Sequence, residues 1–256
     1  MTTPDSPLHD KAALVTGSSS GAGAQIAREL ARRGARVAVH CRRAMDAAEA
    51  VAEQIRNEGG DAVAFVADFC SSQELRDLVA RVEARFGAIG VLVNNAGPFA
   101  DTPFRSLGES EWDCVMAVNL KAPYLLSQLI APEMRRLGWG RIINIGATSG
   151  LVRSHSVYGL AKAALLHLTE SLALEFAPAI CINAVVPSQI ASARTDRMPS
   201  YKEAAIAATP LGRLVTENEI ARMVALLCMP EFDFVTGRAI VMDGGRTLPR
   251  FPRIGS

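Results

Sequence analysis

The sequence has 256 residues, of which 49% are hydrophobic and 21% charged, and its formal net charge at pH 7 is +1. This size and hydrophobic content suit one α/β domain with a buried parallel sheet, and a balanced charge without a basic stripe argues against a nucleic-acid partner. Five scattered cysteines without a CxxC pair, no signal-peptide layout and no uninterrupted apolar stretch long enough to cross a bilayer predict a cytoplasmic protein with reduced thiols, no metal site and no membrane partner.

The first predicted element is a short apolar strand, Ala12–Val15, which runs into a glycine-rich turn. A helix is predicted next, over Ala24–Arg33. Strand, glycine-rich turn and helix are the setting of a dinucleotide site, because glycines let the backbone approach a pyrophosphate and the helix N-terminus presents N–H groups to it. The alternative is a flexible turn without a ligand. The candidate residues of the turn are Gly17, Ser19, Ser20, Gly21 and Gly23.

The second predicted strand, Ala35–His40, is followed by two arginines, Arg42 and Arg43. In nucleotide-binding folds the end of this strand meets the adenosine ribose, where a carboxylate accepts from the 2′-hydroxyl of NAD and an arginine pairs with the 2′-phosphate of NADP. No carboxylate lies between Gly34 and Met45. We therefore predict NADP(H) rather than NAD(H), with ordinary solvated arginines as the alternative.

Two further strands end in polar turns. The third strand, Ala62–Ala67, is closed by Asp68, whose carboxylate either accepts from an adenine amino group or caps the next helix. The fourth, Val91–Val93, runs into an irregular turn that asparagines can stabilise without a ligand. The candidate cofactor residues here are Asp68, Asn95, Ala96 and Gly97. The helices next to these strands are predicted over Met45–Glu58 and Ser72–Phe86.

A long helix is predicted over Glu109–Leu137, with kinks at Pro123 and Pro132, because each proline removes a helix hydrogen bond. This helix carries Asn119 among apolar neighbours. A buried amide is expected to meet a partner or a water, so Asn119 is a candidate polar group of a site.

The next strand, Arg141–Ile145, precedes a helix over Val157–Phe176 that carries Tyr158 and Lys162 on one face, four residues apart. An ammonium beside a phenol favours the phenolate and lowers the pKa of the tyrosine toward the range of a general acid or base. The pattern alone is weak. The alternative is an amphipathic surface on which the lysine stem packs against the ring.

The last predicted elements are a strand over Ile180–Val186, a helix over Glu217–Cys228 and a strand over Arg238–Met242. The segment Ser192–Pro210 is predicted to be irregular, and we assign residues 188–210 to a substrate loop, because long loops are usually functional or disordered. The chain thus alternates about seven strands with about six helices. This alternation predicts a doubly wound parallel sheet flanked by helices, with ligands at the carboxyl ends of its strands.

Taken together, the ordered motifs from Lys11 to Gly245 resemble those of the short-chain dehydrogenase/reductase family. The motifs are Thr16-Gly17-x-x-x-Gly21-x-Gly23, Asp68, Asn94-Asn95-Ala96-Gly97, Asn119, Tyr158-x-x-x-Lys162 and Pro187. The resemblance implies a single Rossmann-type NAD(P)-binding domain over residues 1–256. It also implies a homo-oligomer, either a tetramer or a dimer.

The resemblance further implies a role for each motif. The glycine-rich turn would hold the pyrophosphate, and Asp68 would meet adenine. Tyr158 would donate a proton to the substrate carbonyl, while Lys162 would lower the tyrosine pKa and bind the nicotinamide ribose. Asn119 would hold a water that relays protons to Lys162. The residues implied near the nicotinamide carboxamide are Pro187 and Ile190.

The chain departs from the family pattern at the strand end before the tyrosine helix. The family has a serine there that holds the substrate oxygen, and this chain has Ala147, which donates no hydrogen bond. Thr148 or Ser149 is the candidate replacement; without one, the missing donor costs roughly 2.7–4 kcal/mol of transition-state stabilisation. Ser188 also stands where the family usually has glycine.

The sequence leaves the substrate open, because some stretches are similar to pteridine reductases and the C-terminal half to 3-oxoacyl-acyl-carrier-protein reductases. We predict an NADPH-dependent oxidoreductase that reduces a carbonyl or related C=X group of a small molecule by hydride transfer, with Tyr158 as general acid. The alternative is a nucleotide-binding protein with weak or altered redox activity, because Ala147 replaces the usual serine.

Overall fold

The computed structural model describes residues 7–152 and 155–249 of the protein. The strands are β1 (Ala12–Val15), β2 (Arg36–Cys41), β3 (Asp61–Val66), β4 (Ile89–Asn94), β5 (Gly140–Ile145), β6 (Ile180–Pro187), β7 (Ile190–Ala191), β8 (Val215–Thr216) and β9 (Ala239–Met242). Seven of them form one parallel sheet in the order β3-β2-β1-β4-β5-β6-β9. The predicted α/β fold with a doubly wound parallel sheet of about seven strands is therefore confirmed.

Helices cover both faces of this sheet. The helices are α1 (Gly21–Arg32), α2 (Met45–Asn57), α3 (Ser72–Phe86), α4 (Glu109–Met116), α5 (Ala122–Arg136), α6 (Val157–Phe176), α7 (Ala193–Asp196), α8 (Pro199–Ala207) and α9 (Glu217–Leu226). One hydrophobic core lies under α1, α2 and α9, and a second lies under α3, α5 and α6. Because the inner strands of the sheet are covered on both faces, their residues alternate between the two cores.

β1 illustrates why these strands have uninterrupted apolar sequences. Ala13 and Val15 belong to the first core, whereas Ala12 and Leu14 belong to the second, and all four are buried. The chain order reverses between β1 and β4, and at such a point the carboxyl ends of the strands open a crevice for ligands.

The predicted irregular segment Ser192–Pro210 is mostly helical. Ser192 caps α7 and forms a capping box with Thr195, and Pro199 occupies the first turn of α8. A proline in the first turn of a helix starts it rather than breaking it, since the N–H that proline lacks has no partner there. The prediction of an irregular segment was wrong, because Pro199 starts α8 and Ser192 caps α7.

The long helix predicted over Glu109–Leu137 is divided into α4 and α5 by a π-helical turn, Ala117–Lys121. Pro123 lies in the first turn of α5, directly after the π-helical turn, and Pro132 lies inside α5. π-helical turns occur frequently at functional sites, and this one carries Asn119.

Within the described part of the chain, the helical run Glu109–Arg136 is long and apolar enough to cross a membrane, by length and composition only. The run is not an uninterrupted apolar stretch, because Asn119 and Lys121 lie within it. In addition, 44% of its apolar window is buried inside the fold, and α5 packs against α3, α6 and the sheet. We therefore describe the run as a core helix of the domain.

Candidate active site

The glycine-rich turn between β1 and α1 packs so tightly that it leaves no room for side chains. Gly17 has a φ of +64°, and a Cβ there would lie 2.9 Å from the Ala96 Cα. A Cβ on Gly23 would lie 2.3 Å from the Gly17 carbonyl oxygen. Gly21, with a φ of +59°, is the first residue of α1. The end of β4 therefore fixes the path of the turn.

Thr16 and Asn95 bind this turn to β4. The Thr16 hydroxyl donates to the Val93 carbonyl oxygen at 3.2 Å and accepts from the N–H groups of Asn95 and Ala96 at 2.9 and 3.0 Å. The Asn95 side-chain amide donates to the carbonyl oxygens of Thr16 and Gly17, both at 2.9 Å. Asn95 thus acts on the backbone of the turn. Thr16 is a framework residue to which the sequence analysis gave no role.

His40, at the end of β2, is a further residue that the sequence analysis did not select. Its Nδ1 accepts from the Gly17 N–H at 3.0 Å, and its Nε2 lies 3.0 Å from the Ala67 carbonyl oxygen, which assigns the proton to Nε2. The ring stacks on Phe69 with 4.3 Å between the centroids. Burial lowers the pKa of His40 to about 4. The signal in the sequence that could have identified His40 is a polar residue inside an apolar strand.

The N-terminus of α1 offers backbone N–H groups at the same turn. Ser20 precedes the helix without a side-chain cap bond, Ser19 precedes Ser20, and the first turn has no acidic residue. The nearest carboxylate found is Glu217, whose Oε1 would lie 3.5 Å from a Cβ on Gly21. Burial raises the pKa of Glu217. The local environment thus favours an anion at the helix N-terminus and disfavours the charge of this carboxylate.

A cavity of about 330 Å³ lies beside the turn, at the ends of β1 to β4. Its walls include Gly17, His40, Arg42, Asp68, Ala96 and Gly97. Arg42 donates through Nε to Asp68 Oδ2 at 2.8 Å, and Asp68 Oδ1 accepts from the Cys70 N–H at 3.0 Å. The Cys70 N–H and then Arg42 lower the pKa of Asp68. The helix cap of α3 is Ser71 rather than Asp68, and Arg43 is exposed.

Asn119 lies fully buried in the π-helical turn. Its Nδ2 donates to the carbonyl oxygens of Val115 at 3.0 Å and Pro98 at 3.1 Å, while its Oδ1 has no partner in the described part of the chain. A Cβ on Gly97 would lie 2.2 Å from that Oδ1 and 3.5 Å from Lys162 Nζ. Gly97 is therefore the position around which Asn119 and Lys162 come together.

Lys162 is buried in α6 and donates through Nζ to the Ile145 carbonyl oxygen, at the end of β5, at 2.8 Å. Burial lowers the pKa of Lys162 to about 8. A 3₁₀ turn, Thr148–Gly150, packs against the same part of α6, because a Cβ on Gly150 would lie 2.8 Å from the carbonyl carbon of Lys162.

Tyr158 lies one helical turn before Lys162 and is half-buried. Lys162 Nζ is 5.5 Å from the centroid of its ring, and Phe99 meets that ring edge-on with 5.2 Å between the centroids. Burial raises the pKa of Tyr158 to about 12, and the charge of Arg194 opposes the rise. The direction is the reverse of the predicted one, because the effect of burial on the phenol outweighs that of the Arg194 charge.

The end of β5 lacks a hydroxyl at Ala147, as the sequence indicates. Thr148 is buried at the start of the 3₁₀ turn, and the Ser149 hydroxyl is buried without a partner among the described residues. Ser149 therefore offers an unpaired hydroxyl on the turn that packs against Lys162.

The remaining candidate residues lie at the end of β6 and directly after it. Pro187 is buried as the last residue of β6, and the Ser188 N–H donates to the Met242 carbonyl oxygen at 3.2 Å. Ile190 packs against the first core. Between them, the Oε1 of Gln189 is buried without a partner among residues 7–152 and 155–249. Gln189 was missed, although a polar residue at a strand end was visible in the sequence.

The residues at this edge of the sheet fit a dinucleotide. The glycine-rich turn is built for close approach, and a cavity adjoins it. Three buried groups at the same edge, Asn119 Oδ1, Ser149 Oγ and Gln189 Oε1, have no partner within the described residues. Buried polar groups normally have one, so these groups suit a polar ligand. The described residues contain no cluster of three or more His, Cys, Asp or Glu placed to hold a metal.

Comparison with known proteins gives a consistent result. The family profile that matches residues 17–247 is described as enoyl-(acyl carrier protein) reductase. A 3-oxoacyl-(acyl-carrier-protein) reductase FabG of Staphylococcus aureus is 38% identical over 239 residues, which cover 92% of this chain and 97% of that protein.

Solved structures of similar fold include two further dehydrogenases or reductases. A gluconate 5-dehydrogenase from Burkholderia cenocepacia in complex with NADP and tartrate superimposes with a TM-score of 0.87 at 30% identity, over 95% of this chain and 97% of that one. A short-chain dehydrogenase/reductase variant from Serratia marcescens gives a TM-score of 0.89 at 34% identity, over 94% of this chain and 99% of that one.

Proposed function

Because this chain belongs to the short-chain dehydrogenase/reductase family, we propose that it is an NADPH-dependent reductase of a carbonyl or related C=X group. The observation that carries the proposal is the cluster of Tyr158, Lys162 and Asn119 beside Gly97. This cluster lies at the same edge of the sheet as the glycine-rich turn. The FabG protein of Staphylococcus aureus, which this chain matches over 97% of its length, is named a reductase.

In this proposal the bound nicotinamide supplies the hydride, and Tyr158 protonates the substrate oxygen as the general acid. Burial raises the pKa of Tyr158 to about 12, so the phenol carries its proton at pH 7. With that pKa only about one phenol in 100,000 is ionised at pH 7. The phenol is therefore in the protonated form that a general acid needs.

Lys162 and Asn119 resupply the proton. Lys162 uses one N–H on the Ile145 carbonyl oxygen and keeps two others for ligands. Asn119 uses both of its hydrogen-bond donors on backbone carbonyl groups, which aims its Oδ1 into the site. Through this oxygen Asn119 holds a water that relays protons to Lys162.

The dinucleotide is held along the same edge of the sheet. The turn and the N-terminus of α1 bind the pyrophosphate, and the floor beneath the adenosine ribose is the turn after β4. Tyr158 and Lys162 also bind the nicotinamide ribose. The proposed cofactor residues are Gly17, Ser19, Ser20, Gly21, Gly23, Arg42, Arg43, Asp68, Asn95, Ala96, Gly97, Tyr158, Lys162, Pro187 and Ile190.

Arg42 and Arg43 favour NADP(H) over NAD(H). Both follow the end of β2 and are exposed, and Arg42 lines the cavity beside the glycine-rich turn. Arg42 is already oriented by Asp68, at 2.8 Å. The two guanidinium groups outnumber this carboxylate, so the local charge suits a 2′-phosphate. The gluconate 5-dehydrogenase structure with NADP supports the same choice.

We also propose a cytoplasmic homo-oligomer, a tetramer or a dimer. An apolar groove lies between α4–α5 and α6, and its walls include Met116, Leu120, Tyr124 and Leu168. Apolar patches of this kind mark contacts between proteins. A size-exclusion profile with only monomer would contradict this part of the proposal.

The test is NADPH oxidation, followed at 340 nm, over a panel of ketones, quinones, oxoacyl thioesters and pterins, with NADH in parallel. Tyr158→Phe is expected to lower kcat by about 10²–10⁴-fold, because general acid catalysis contributes that much, while the dissociation constant for NADPH changes little. Tyr124→Phe is the matched control, since Tyr124 lies in the apolar groove and outside the cluster of Tyr158, Lys162 and Asn119; its size-exclusion profile must match that of the wild type. A Tyr158→Phe enzyme as fast as the wild type would refute the proposal.

One observation favours a second candidate, a nucleotide-binding protein with weak redox activity. Ala147 supplies no donor to a substrate oxygen at the end of β5. If Ser149 does not replace it, the wild type binds NADPH without turnover, and Ala147→Ser creates activity. If Ser149 does replace it, the wild type turns over substrate and the Ser149→Ala variant does not.

A further inference from the structure

We propose that Arg194 selects substrates that carry an anionic group, a carboxylate or a phosphate, next to the carbonyl that Tyr158 protonates. The inference rests on the proposed reductase function and adds the substrate class to it. Three features of the described residues carry it: the position of the guanidinium relative to Tyr158, its lack of an acidic partner, and the way in which α7 holds it.

Arg194 contacts Phe99, which in turn contacts Tyr158. Its Cζ lies 4.4 Å from the centroid of the Phe99 ring, and Phe99 in turn meets the Tyr158 ring at 5.2 Å and 60°. Burial raises the pKa of Tyr158, and the charge of Arg194 opposes that rise. The cation is therefore within electrostatic reach of the atom that gives up the proton.

The guanidinium has no carboxylate partner among residues 7–152 and 155–249. Two nearby cations differ in this respect, because Lys202 pairs with Asp196 and Arg213 pairs with Glu219, both at 2.7 Å. Stacking uses only the face of a guanidinium and leaves its N–H groups at the edge. Arg194 thus presents a set of hydrogen-bond donors that matches the geometry of a carboxylate or a phosphate.

Arg194 projects from an anchored turn and not from a loose loop. Ser192 and Thr195 form the capping box of α7, and the buried Thr195 hydroxyl donates to the Ile190 carbonyl oxygen at 2.9 Å. This bond fixes α7 to the end of β7, beside the end of β6. An arginine that is already positioned loses less conformational entropy when it binds an anion.

The experiment compares pairs of substrates in which one member carries an anionic group and the other is neutral. Initial rates of NADPH oxidation are measured with acetoacetate against ethyl acetoacetate, and with dihydroxyacetone phosphate against dihydroxyacetone. The first pair reports on a carboxylate and the second on a phosphate. We expect the wild type to favour the anion of at least one pair in kcat/KM by about tenfold or more, as for a hydrogen bond to a charged group.

The variants separate anion binding from other roles of the side chain. Arg194→Met is expected to raise KM for the anion and remove the preference, with a smaller change in kcat/KM for the neutral partner, and Arg194→Lys to retain part of the preference. Arg197→Met is the matched control, since it removes an exposed arginine of the same segment. Equal losses for anionic and neutral substrates would show that Arg194 only supports Phe99 or Tyr158 and would overturn the proposal, as would a wild type without preference.

A binding measurement keeps this inference separate from the proposed reductase activity. If no ketone is reduced, the proposed function fails, and calorimetric titration of the NADP-loaded protein with malonate and with inorganic phosphate decides the inference. Binding of either anion that is lost in Arg194→Met and kept in Arg197→Met supports it. An absence of binding, or equal binding to both variants, overturns it.

Discussion

The buried imidazole of His40 should make the folded protein sensitive to mild acid. His40 Nδ1 accepts from the Gly17 N–H, and His40 Nε2 donates to the Ala67 carbonyl oxygen. A second proton has to go to Nδ1, where it would face the Gly17 N–H. Protonation therefore converts a hydrogen bond into a contact between two donors, and it places a charge in an apolar site.

The magnitude follows from the pKa. Burial lowers the pKa of His40 from 6.5 to about 4, which corresponds to about 3 kcal/mol of unfolding free energy. Because the unfolded chain binds the proton more tightly, this contribution is complete above pH 6.5 and is lost progressively as the pH falls from 6.5 to about 4. Between these limits the slope approaches about 1.4 kcal/mol per pH unit.

The assay is urea unfolding at a series of pH values for the wild type and for His40→Asn. We expect the variant to be less stable at pH 7 and to show a flatter dependence between pH 6.5 and 5, since asparagine does not titrate. His167→Asn is the matched control, because His167 is exposed on α6, and its curve should follow the wild type. Parallel curves for the wild type and His40→Asn would refute the argument, as would an NMR titration of His40 near pH 6.5.

Three further predictions concern the cofactor and the reaction. Arg42→Ala should raise the dissociation constant for NADPH about tenfold or more, with that for NADH within about twofold, and equal changes would contradict the 2′-phosphate assignment. Gly97→Ala should cost about 1–3 kcal/mol of stability and most of kcat, because its Cβ would lie 2.2 Å from Asn119 Oδ1. Gly108→Ala is the control, since no atom lies within 4 Å of its Cβ, and it should be neutral in denaturation and rate assays. The kcat/KM for reduction should fall as the pH rises through about 8, where Lys162 loses its proton, and a flat profile would contradict its role.

The fold could be predicted from the sequence because its signals are local. β1 and its neighbours read as apolar runs because both faces of the sheet are covered, and the glycine-rich turn after β1 locates the crevice. The helical character of Ser192–Pro210 could not be predicted from the composition of that segment. It depends on the capping box of Ser192 and on Pro199 at a helix start, where proline is favoured.

Part of the candidate site could likewise be predicted from the sequence, and part could not. Motif residues such as Tyr158 and Lys162 were visible through their spacing, and their proximity was expected from helix geometry. The direction of the Tyr158 pKa shift was not, because burial is a property of the packed structure. His40, Phe99 and Arg194 were missed as site residues, since each acts through contacts with residues far away in the chain.

The two groups of site residues differ in how firmly they are held, and this difference bears on function. Asn119 and Lys162 are buried and bound to backbone carbonyl groups of the core, so their positions are set by the sheet and α6. Phe99 and Arg194 are exposed on short segments after β4 and β7. Substitutions in the first group should therefore lower kcat for every substrate. Substitutions in the second should change KM selectively, so substrate choice can vary in this fold without disturbing the proton path.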